Sequence, residues 1–337
     1  MAPTAAAPAP ASPLLVAAGY LNIDVVARVP FLPAADQRAT ADRIWRLLGG
    51  MAANTACGAA ALGPPWETEV DLLTFVGDDP ESDWALAEVA ARGVATGWSV
   101  RLPGGFTPRC IILVEPNGQR VIVSEPIRFG DDLITRRVAV PEPPQRPRRI
   151  HVDGYRVPAA LEALAAARAR GWGTSVDLDG LDPAWRSEDG LCRIVQAFDV
   201  VFANRNAVEA IWPGLLQGAE SLPLVASRLQ GLLQRHGLPD GLIIVTLGAE
   251  GALVVPCTTG AQHVAALPVT PIDTTGAGDI FAGVYLVMLL HGQDPVLAAQ
   301  HAAIAAGLST TGFGAQGRLA NAAEVLAAPL PPVVALS

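Results

Sequence analysis

The sequence predicts an α/β protein, with a mainly parallel sheet wrapped by helices on both faces and a small β-sheet lid. Three observations carry that prediction. Short apolar runs at 14–18, 70–76, 149–153, 174–178, 199–203 and 242–247 alternate with longer Ala/Leu stretches of helical spacing. Continuous runs of this length suit strands covered on both faces, and their alternation with helices implies a parallel sheet. Two segments around 25–48 and 99–123 break the rhythm, and a glycine turn at 276–278 leads straight into an apolar stretch at 280–290.

Taken in chain order, residues 1–13 are an Ala/Pro leader expected to be disordered, without the basic start of a signal peptide. The first strand leads into 25–49, which shows no obvious helix. A helix is expected at 52–62, a strand at 70–76 and a second helix at 81–92. The segment 98–126 reads as strand, turn, strand, turn, strand, with turn signals at Pro103-Gly104-Gly105 and Pro116-Asn117-Gly118. Segments 25–49 and 98–126 are therefore assigned to the lid, and 14–24, 50–97 and 127–328 to the core. Further helices are expected at 158–170, 222–236, 279–290 and 295–311; Pro158 suits a first helical position and Gly171 a stop. The proline-rich stretch 141–147 is a connector, and 329–337 is expected to be an irregular tail. No internal repeat is present.

Apolar types make up 51% of the 337 residues, which fits one large domain with a smaller appendage. Charged residues are 16% and the formal net charge is -9, so there is no electrostatic footprint for nucleic acid. No Lys/Arg run suggests a membrane surface, and the apolar stretch 280–290 is too short to cross a bilayer. The cysteines at 57, 110, 192 and 257 form no CxxC pair and have no zinc-site spacing. They read as thiols of a reducing compartment, so a cytoplasmic protein is expected.

The chemistry concentrates in Asp273-Thr-Thr-Gly276-Ala277-Gly278-Asp279-Ile-Phe-Ala-Gly283. The glycines allow a tight turn, and the first N–H groups of the helix that follows lack intrahelical partners and carry partial positive charge. Gly276, Ala277 and Gly278 can thus present N–H groups to a phosphate as an anion hole. Asp279, in the first helical turn, is expected to stay ionised and to accept the proton of an attacking hydroxyl, a combination that fits phosphoryl transfer. The blander reading is an Asp that caps a helix after a Gly turn. A dinucleotide fingerprint is disfavoured, because Phe281 stands where a third glycine belongs and the motif lies far from the first strand. No GxxxxGK[ST] occurs in the chain.

The run Asp273-Thr-Thr-Gly-Ala-Gly-Asp279 resembles the C-terminal signature of the ribokinase-type (PfkB) carbohydrate and nucleoside kinases. Other segments match in the family's order: Ala18-Gly19-Tyr-Leu-Asn22-Ile-Asp24, Gly49-Gly50-Met-Ala-Ala-Asn54, Phe75-Val-Gly-Asp78-Asp79, Asn206-Ala-Val-Glu209 and Val245-Thr246-Leu-Gly248-Ala-Glu-Gly251. The resemblance spans about residues 14–327. It implies a ribokinase-like three-layer core, a β lid and ATP-dependent phosphorylation of a hydroxyl on a small sugar or sugar acid. A nucleoside kinase of the same family, marked by aromatic residues at the substrate site, and a non-catalytic ligand-binding member are the alternatives.

For individual residues, the resemblance implies Asp279 as base and Gly276 to Gly278 as anion hole. Asn22, Asp24, Gly49, Gly50 and Asn54 would bind the substrate. Asn206, Thr246, Gly248, Gly251 and Thr275 would line the nucleotide site, and Glu209 would organise Mg2+ through water. Segment 301–316 would wall the adenine, with His301 itself read as a core or helix-surface histidine. Some members also bind a monovalent cation; Asp273 and Thr275 suit one half of such a site. Arg318 stands where the other half expects a small polar residue, a guanidinium that either replaces the cation or faces solvent. Met51 stands where members acting on phosphorylated sugars often carry Lys, which favours an unphosphorylated substrate unless Arg109, Arg120 or Arg156 supplies the charge. A lid with open edges further suggests a homodimer.

Overall fold

The computed structural model describes residues 11–115, 119–127, 133–216 and 221–336. The expected disorder of the leader lies, for residues 1–10, outside the described residues. Strand β1 (Leu14–Ala18) leads to β2 (Asn22–Arg28) and β3 (Arg43–Gly49), then helix α1 (Met51–Ala61). Next come β4 (Glu69–Leu73), β5 (Phe75–Val76), α2 (Pro80–Ala91), β6 (Val100–Arg101), β7 (Arg109–Val114), β8 (Arg120–Ser124) and α3 (Leu133–Ala139). The central units are β9 (Arg148–Val152), α4 (Val157–Ala169), β10 (Gly173–Asp177), α5 (Glu188–Ala197), β11 (Val200–Asn204), α6 (Arg205–Ile211) and α7 (Ser221–His236). The chain ends with β12 (Leu242–Thr246), β13 (Ala252–Pro256), β14 (Gln262–Val264), α8 (Ala277–Leu290), α9 (Pro295–Ser309), α10 (Ala322–Ala327) and β15 (Val333–Ala335).

A nine-stranded sheet in the order β15-β14-β13-β12-β11-β10-β9-β1-β4 forms the middle layer. From β12 to β4 all neighbours are parallel; β13, β14 and β15 add on antiparallel. Alternation along β1 shows how the layers form. Leu15 and Ala17 pack into one core with α1, α8 and α9, while Leu14, Val16 and Ala18 pack into the other with α3, α4 and α7. Both faces are covered, as the unbroken apolar runs require. A separate four-stranded sheet, β3-β2-β7-β8, is the lid.

Several expectations need correction. The single strand at 70–76 divides at Thr74: β4 ends in the main sheet, while β5 pairs with β6. The division follows the hydrogen bonds, since Gly19 N–H takes the Leu73 carbonyl and Val100 N–H the Thr74 carbonyl. Of the three strands expected in 98–126, the first therefore leaves the lid. Asn22 and Asp24, placed in the core by sequence, lie on lid strand β2. The tail is not irregular throughout, because β15 pairs with β14 along the sheet edge. Helix α5 went unrecognised because it is short and interrupted by Gly190, where a Cβ would collide with the Trp185 carbonyl.

Candidate active site

The candidate residues gather at the carboxyl ends of the parallel strands, where open α/β sheets bind ligands. Tyr20, Asn22 and Asp24 follow β1, Asp153 follows β9, Asp177 ends β10, Asn206 and Glu209 follow β11, and Gly248 and Gly251 follow β12. Strand order thus sets the candidate substrate residues at β1, β9 and β10 apart from the candidate nucleotide residues at β11 and β12.

On the substrate side, Asn22 Nδ2 donates to Asp24 Oδ1 at 2.6 Å and to Cys110 Sγ of the neighbouring lid strand at 3.2 Å. Burial is the main force pushing the Asp24 carboxyl up to about 6, with the Asn22 hydrogen bond acting against it and Asp273 adding to it. The Gly49-Gly50 pair is dictated by these neighbours. A Cβ at Gly49 would collide with the Asp24 carboxylate, and Gly50 combines φ 101° with a close approach to the Tyr20 carbonyl. Gly19 is bare for the same reason, because the Asp153 carboxylate fills the space a side chain would need.

Helix α1 brings Asn54 to the catalytic candidate. Its Nδ2 donates to Asp279 Oδ2 at 2.8 Å, while its Oδ1 accepts from Gln316 Nε2 at 2.9 Å. The helices approach this closely because Gly58 and Gly283 are small. A Cβ at Gly58 would meet Ile280, and one at Gly283 would collide with the Thr55 carbonyl. Burial raises the Asp279 carboxyl well above its ordinary range; the Asn54 hydrogen bond opposes this, while Asp177, Asp179 and Asp153 reinforce it. Asp279 is thus pushed toward its neutral form in the ligand-free site, against the expectation that its place in the first helical turn favours the anion.

At the start of α8, Gly276 is left-handed at φ 73° and no side chain caps the helix. A Cβ at Gly278 would meet nothing within 4 Å, so that turn opens onto free space. The Ala277 N–H is directed to the Thr274 carbonyl at 3.3 Å, so the three amides are not equivalent. Asp273 fastens the turn from behind. Its Oδ1 accepts from Thr275 N–H and Oγ1, and its Oδ2 accepts from Gly314 N–H. Arg318 hydrogen bonds Thr311 Oγ1 and Glu324 Oε1, which ties it to the end of α9 and to α10.

On the nucleotide side, Asn204 rather than Asn206 is the cap of α6, accepting from Ala207 N–H at 2.8 Å, and Asn206 is exposed. Glu209 accepts from the N–H groups of Gly214 and Leu216 at 2.7 and 2.6 Å, so its carboxylate also holds the following turn. Thr246 Oγ1 donates to the Ala203 carbonyl across the strand pair. Gly248 and Gly251 have φ 63° and 99°, and a Cβ at Gly251 would collide with the Val264 carbonyl. His301 is a core histidine against Trp66 rather than a nucleotide contact.

Sequence reasoning missed Tyr20, Cys110, Asp153, Tyr155, Asp177 and Gln316. Asp153 is 1% exposed, accepts from Tyr20 N–H at 2.8 Å through Oδ2, and leaves Oδ1 without a partner among the described residues. Burial lifts Asp153 and Asp177 each to about 7. The available signal was positional: Asp153 follows β9, the neighbour of β1 in the sheet, and Asp177 ends β10, the next strand along.

The family profile described as pfkB family carbohydrate kinase matches residues 12–321. The chain belongs to that family, and it is a carbohydrate kinase, a phosphotransferase with a ribokinase-like fold. It is 29% identical over 315 residues to the ATP-dependent ribose-1-phosphate kinase of Halopiger xanaduensis, covering 93% of this chain and 97% of the relative. It is 26% identical over 317 residues to the ribokinase of Schizosaccharomyces pombe, covering 92% and 96%. Among solved structures, the Arabidopsis thaliana ribokinase complexed with ribose and ATP superposes with a TM-score of 0.75 at 19% identity, covering 94% of this chain and 98% of that one.

Asp153 gives a direct test of the substrate side. Its folded-state value of about 7 lies above the ordinary 3.8, so protonation favours the folded chain. This contribution is full below about pH 4 and is lost as the pH rises toward 7; its size is roughly 4 kcal/mol. Asp153→Asn is predicted to raise the thermal midpoint of the ligand-free protein at pH 8 and to flatten its decline between pH 5 and 8. A lower midpoint at pH 8 would contradict the assignment.

Proposed function

We propose that this kinase transfers the γ-phosphoryl group of ATP to a hydroxyl of a small sugar or sugar acid, with Asp279 as the base. The observation that carries the reading is the Asp279 carboxyl, fixed by Asn54 at the uncapped start of α8, with the Asn22-Asp24 pair packed against the Gly49-Gly50 turn that opens the helix carrying Asn54. The substrate hydroxyls would bind Asn22, Asp24 and Asn54 and the backbone at Gly49 and Gly50, because carboxylates and amide oxygens accept while the amide NH2 donates. A pocket rich in carboxylates disfavours a substrate that carries a phosphate near the ring.

The nucleotide would lie across Asn206, Thr246, Gly248, Gly251 and Thr275. Among the described residues there is no cluster of three or more His, Cys, Asp or Glu side chains placed to hold a metal. That suits Mg2+ arriving with the ATP phosphates, since Mg2+ keeps several waters and uses few carboxylates. Glu209 would reach it through water, because each of its oxygens retains a lone pair beyond its one backbone donor. Bound Mg2+ would neutralise charge on the β- and γ-phosphates. Asp279 takes the hydroxyl proton, Asn54 and Gln316 hold it in position, and the open turn at Gly276 to Gly278 supplies backbone N–H groups to the phosphoryl oxygens. Asp273 serves as a clamp on that turn; its engagement by Thr275 and Gly314, with Arg318 held elsewhere, favours activity without a monovalent cation.

One observation favours a nucleoside as the second reading. Tyr155 is 47% exposed and packs edge-on against Tyr20, ring centroids 5.3 Å apart, beside the substrate side. Such a pair can stack on a base.

The outer face of the lid carries exposed Ile44, Ile111, Val121 and Val123 in neighbouring registers, and strands β3 and β8 leave the sheet edges open. We infer that a second copy of the chain covers this face, pairing lid to lid across a two-fold axis.

Asp279→Asn is predicted to lower kcat by roughly 10²–10⁴-fold, the usual worth of a general base, with the fold intact. ADP release against a panel of sugars, sugar acids and nucleosides checks this, and near-parental turnover would remove Asp279 from the role. Sedimentation at working concentration is predicted to give twice the chain mass of 34.9 kDa. A monomer throughout would overturn the lid-to-lid pairing.

A further inference from the structure

Four consecutive residues, Phe313 to Gln316, each touch a different part of the candidate site. Phe313 meets the lid: its ring centroid lies 4.7 Å from that of Trp45 on β3, and the Arg28 guanidinium of β2 stands 5.6 Å from both. Gly314 also meets the lid, since a Cβ there would come within 2.8 Å of Leu47, and its N–H donates to Asp273 Oδ2 at 2.9 Å. Ala315 presses on the turn before α8, because a Cβ at Gly276 would lie 2.6 Å from the Ala315 methyl. Gln316 Nε2 donates to Asn54 Oδ1 at 2.9 Å, and Asn54 in turn donates to Asp279.

The lid residues that grip this loop share one face of the sheet with Asp24, because Trp45 pairs with Val26 and Leu47 with Asp24. That face roofs a cavity of about 580 Å³ whose floor includes Thr275 and Phe313 to Ala315. Covering the cavity and gripping the loop are therefore done by one sheet. The loop itself is short and tight. Gly314 turns the chain at φ 81°, and Gly317 N–H closes the turn on the Gly314 carbonyl at 3.0 Å. Gln316 Oε1 is buried and without a partner among the described residues, so the place of the amide follows the loop backbone. The groups facing Asp279 are Asn54 from α1, Asp153 after β9, Asp177 and Asp179 at the end of β10, and Tyr20 after β1. Asn54 favours the Asp279 anion and the three carboxylates oppose it.

We propose that Phe313 is a positioning residue through which the seated lid sets the base: Trp45 and Arg28 grip its ring, and that grip holds Gln316 where it orients Asn54 toward Asp279. This rests on the kinase reading above. The coupling runs through packed side chains and one tight turn, with no charge or proton moved along it. With the lid seated on Phe313, the Asn54 oxygen is taken by Gln316 and its amide nitrogen faces the carboxylate. With the grip released, the loop relaxes, Asn54 loses the partner that fixes its rotation, and the Asp279 anion loses its donor. The base is thus completed under a closed lid, where the acceptor hydroxyl has displaced water.

The test compares the parent with Phe313→Ala, Trp45→Ala, Gln316→Leu and the double variant Phe313→Ala/Gln316→Leu, with ATP, Mg2+ and the sugar the parent turns over best. Phe313→Ala and Trp45→Ala remove one contact from opposite sides. Each is expected to lower kcat by about 10–10²-fold, the order of cost of a small misplacement made at a distance, with KM for ATP nearly unchanged. Phe313→Tyr keeps the ring and is expected to restore most of the loss. Gln316→Leu is expected to cost as much as Phe313→Ala, and the double variant no more than the worse of the two. A second readout is free of turnover: carbon-13 NMR of ligand-free protein labelled at its aspartate carboxyls, with Asp279→Asn assigning the resonance. The Asp279 midpoint is expected to move to higher pH in Phe313→Ala and in Gln316→Leu, because both loosen the donor that favours the anion. An unmoved Asp279 midpoint in Phe313→Ala, or a raised acceptor KM with kcat kept, would overturn the proposal and leave Phe313 as a plain wall of the cavity. Losses that multiply in the double variant would overturn it as well, by showing the two residues to act independently. If the parent itself turns over no acceptor, the kinase reading fails first, and the titration of Asp279 still decides whether Phe313 acts on it.

Discussion

The hydrogen bond from Asn54 to Asp279 joins residues 225 positions apart and fixes the start of α8 against α1. Much of the architecture serves that contact. Gly58 and Gly283 let the two helices close to backbone distance, and Gln316 holds the Asn54 oxygen so that its amide nitrogen faces the carboxylate. The Gly49-Gly50 pair lets α1 begin directly beneath Tyr20, Asn22 and Asp24. The contact also has an electrostatic role. Asp279 is driven toward its neutral form by burial and by neighbouring carboxylates, and Asn54 supplies the hydrogen bond that favours the anion.

The site divides by charge. The substrate side carries Asp24, Asp153 and Asp177, all pushed toward neutral pH by burial. Such groups bind hydroxyls well in either protonation state, accepting when ionised and donating when protonated. The start of α8 carries no side-chain cap, and Arg28 and Arg120 of the lid line a cavity that Asp24 lines too.

Most of the parallel core was legible because a strand covered on both faces has no choice but a continuous apolar run, and 199–203 and 242–247 fall within a residue of β11 and β12. The Gly-Gly segment and Gly276 were legible because close neighbours or a left-handed backbone leave no room for a side chain, whereas Gly278 opens onto free space. Less legible was anything decided by a distant partner. Thr74 ends β4 because Val100 claims its carbonyl, and β15 is a strand because β14 offers an edge. Asn206 was legible from the Glu three residues after it, whereas the Ala207 N–H that makes Asn204 the cap of α6 was not. Asp153 and Asp177 lacked any local pattern; they come together only through the sheet order, which sets β9 beside β1 and β10 beside β9. The upward push on the Asp279 carboxyl was not legible, because it comes from desolvation and from carboxylates distant in sequence.

The most direct test is the pH dependence of kcat/KM in the parent and in Asn54→Leu. Asp279 must be ionised to accept a proton, so activity is predicted to fall as the pH drops through its raised pKa, giving an acidic limb above the ordinary carboxylate range. Removing the Asn54 donor withdraws the hydrogen bond that favours the anion, so the limb is predicted to move to still higher pH. An acidic limb at an ordinary carboxylate value, or one that stays in place in Asn54→Leu, would contradict the account.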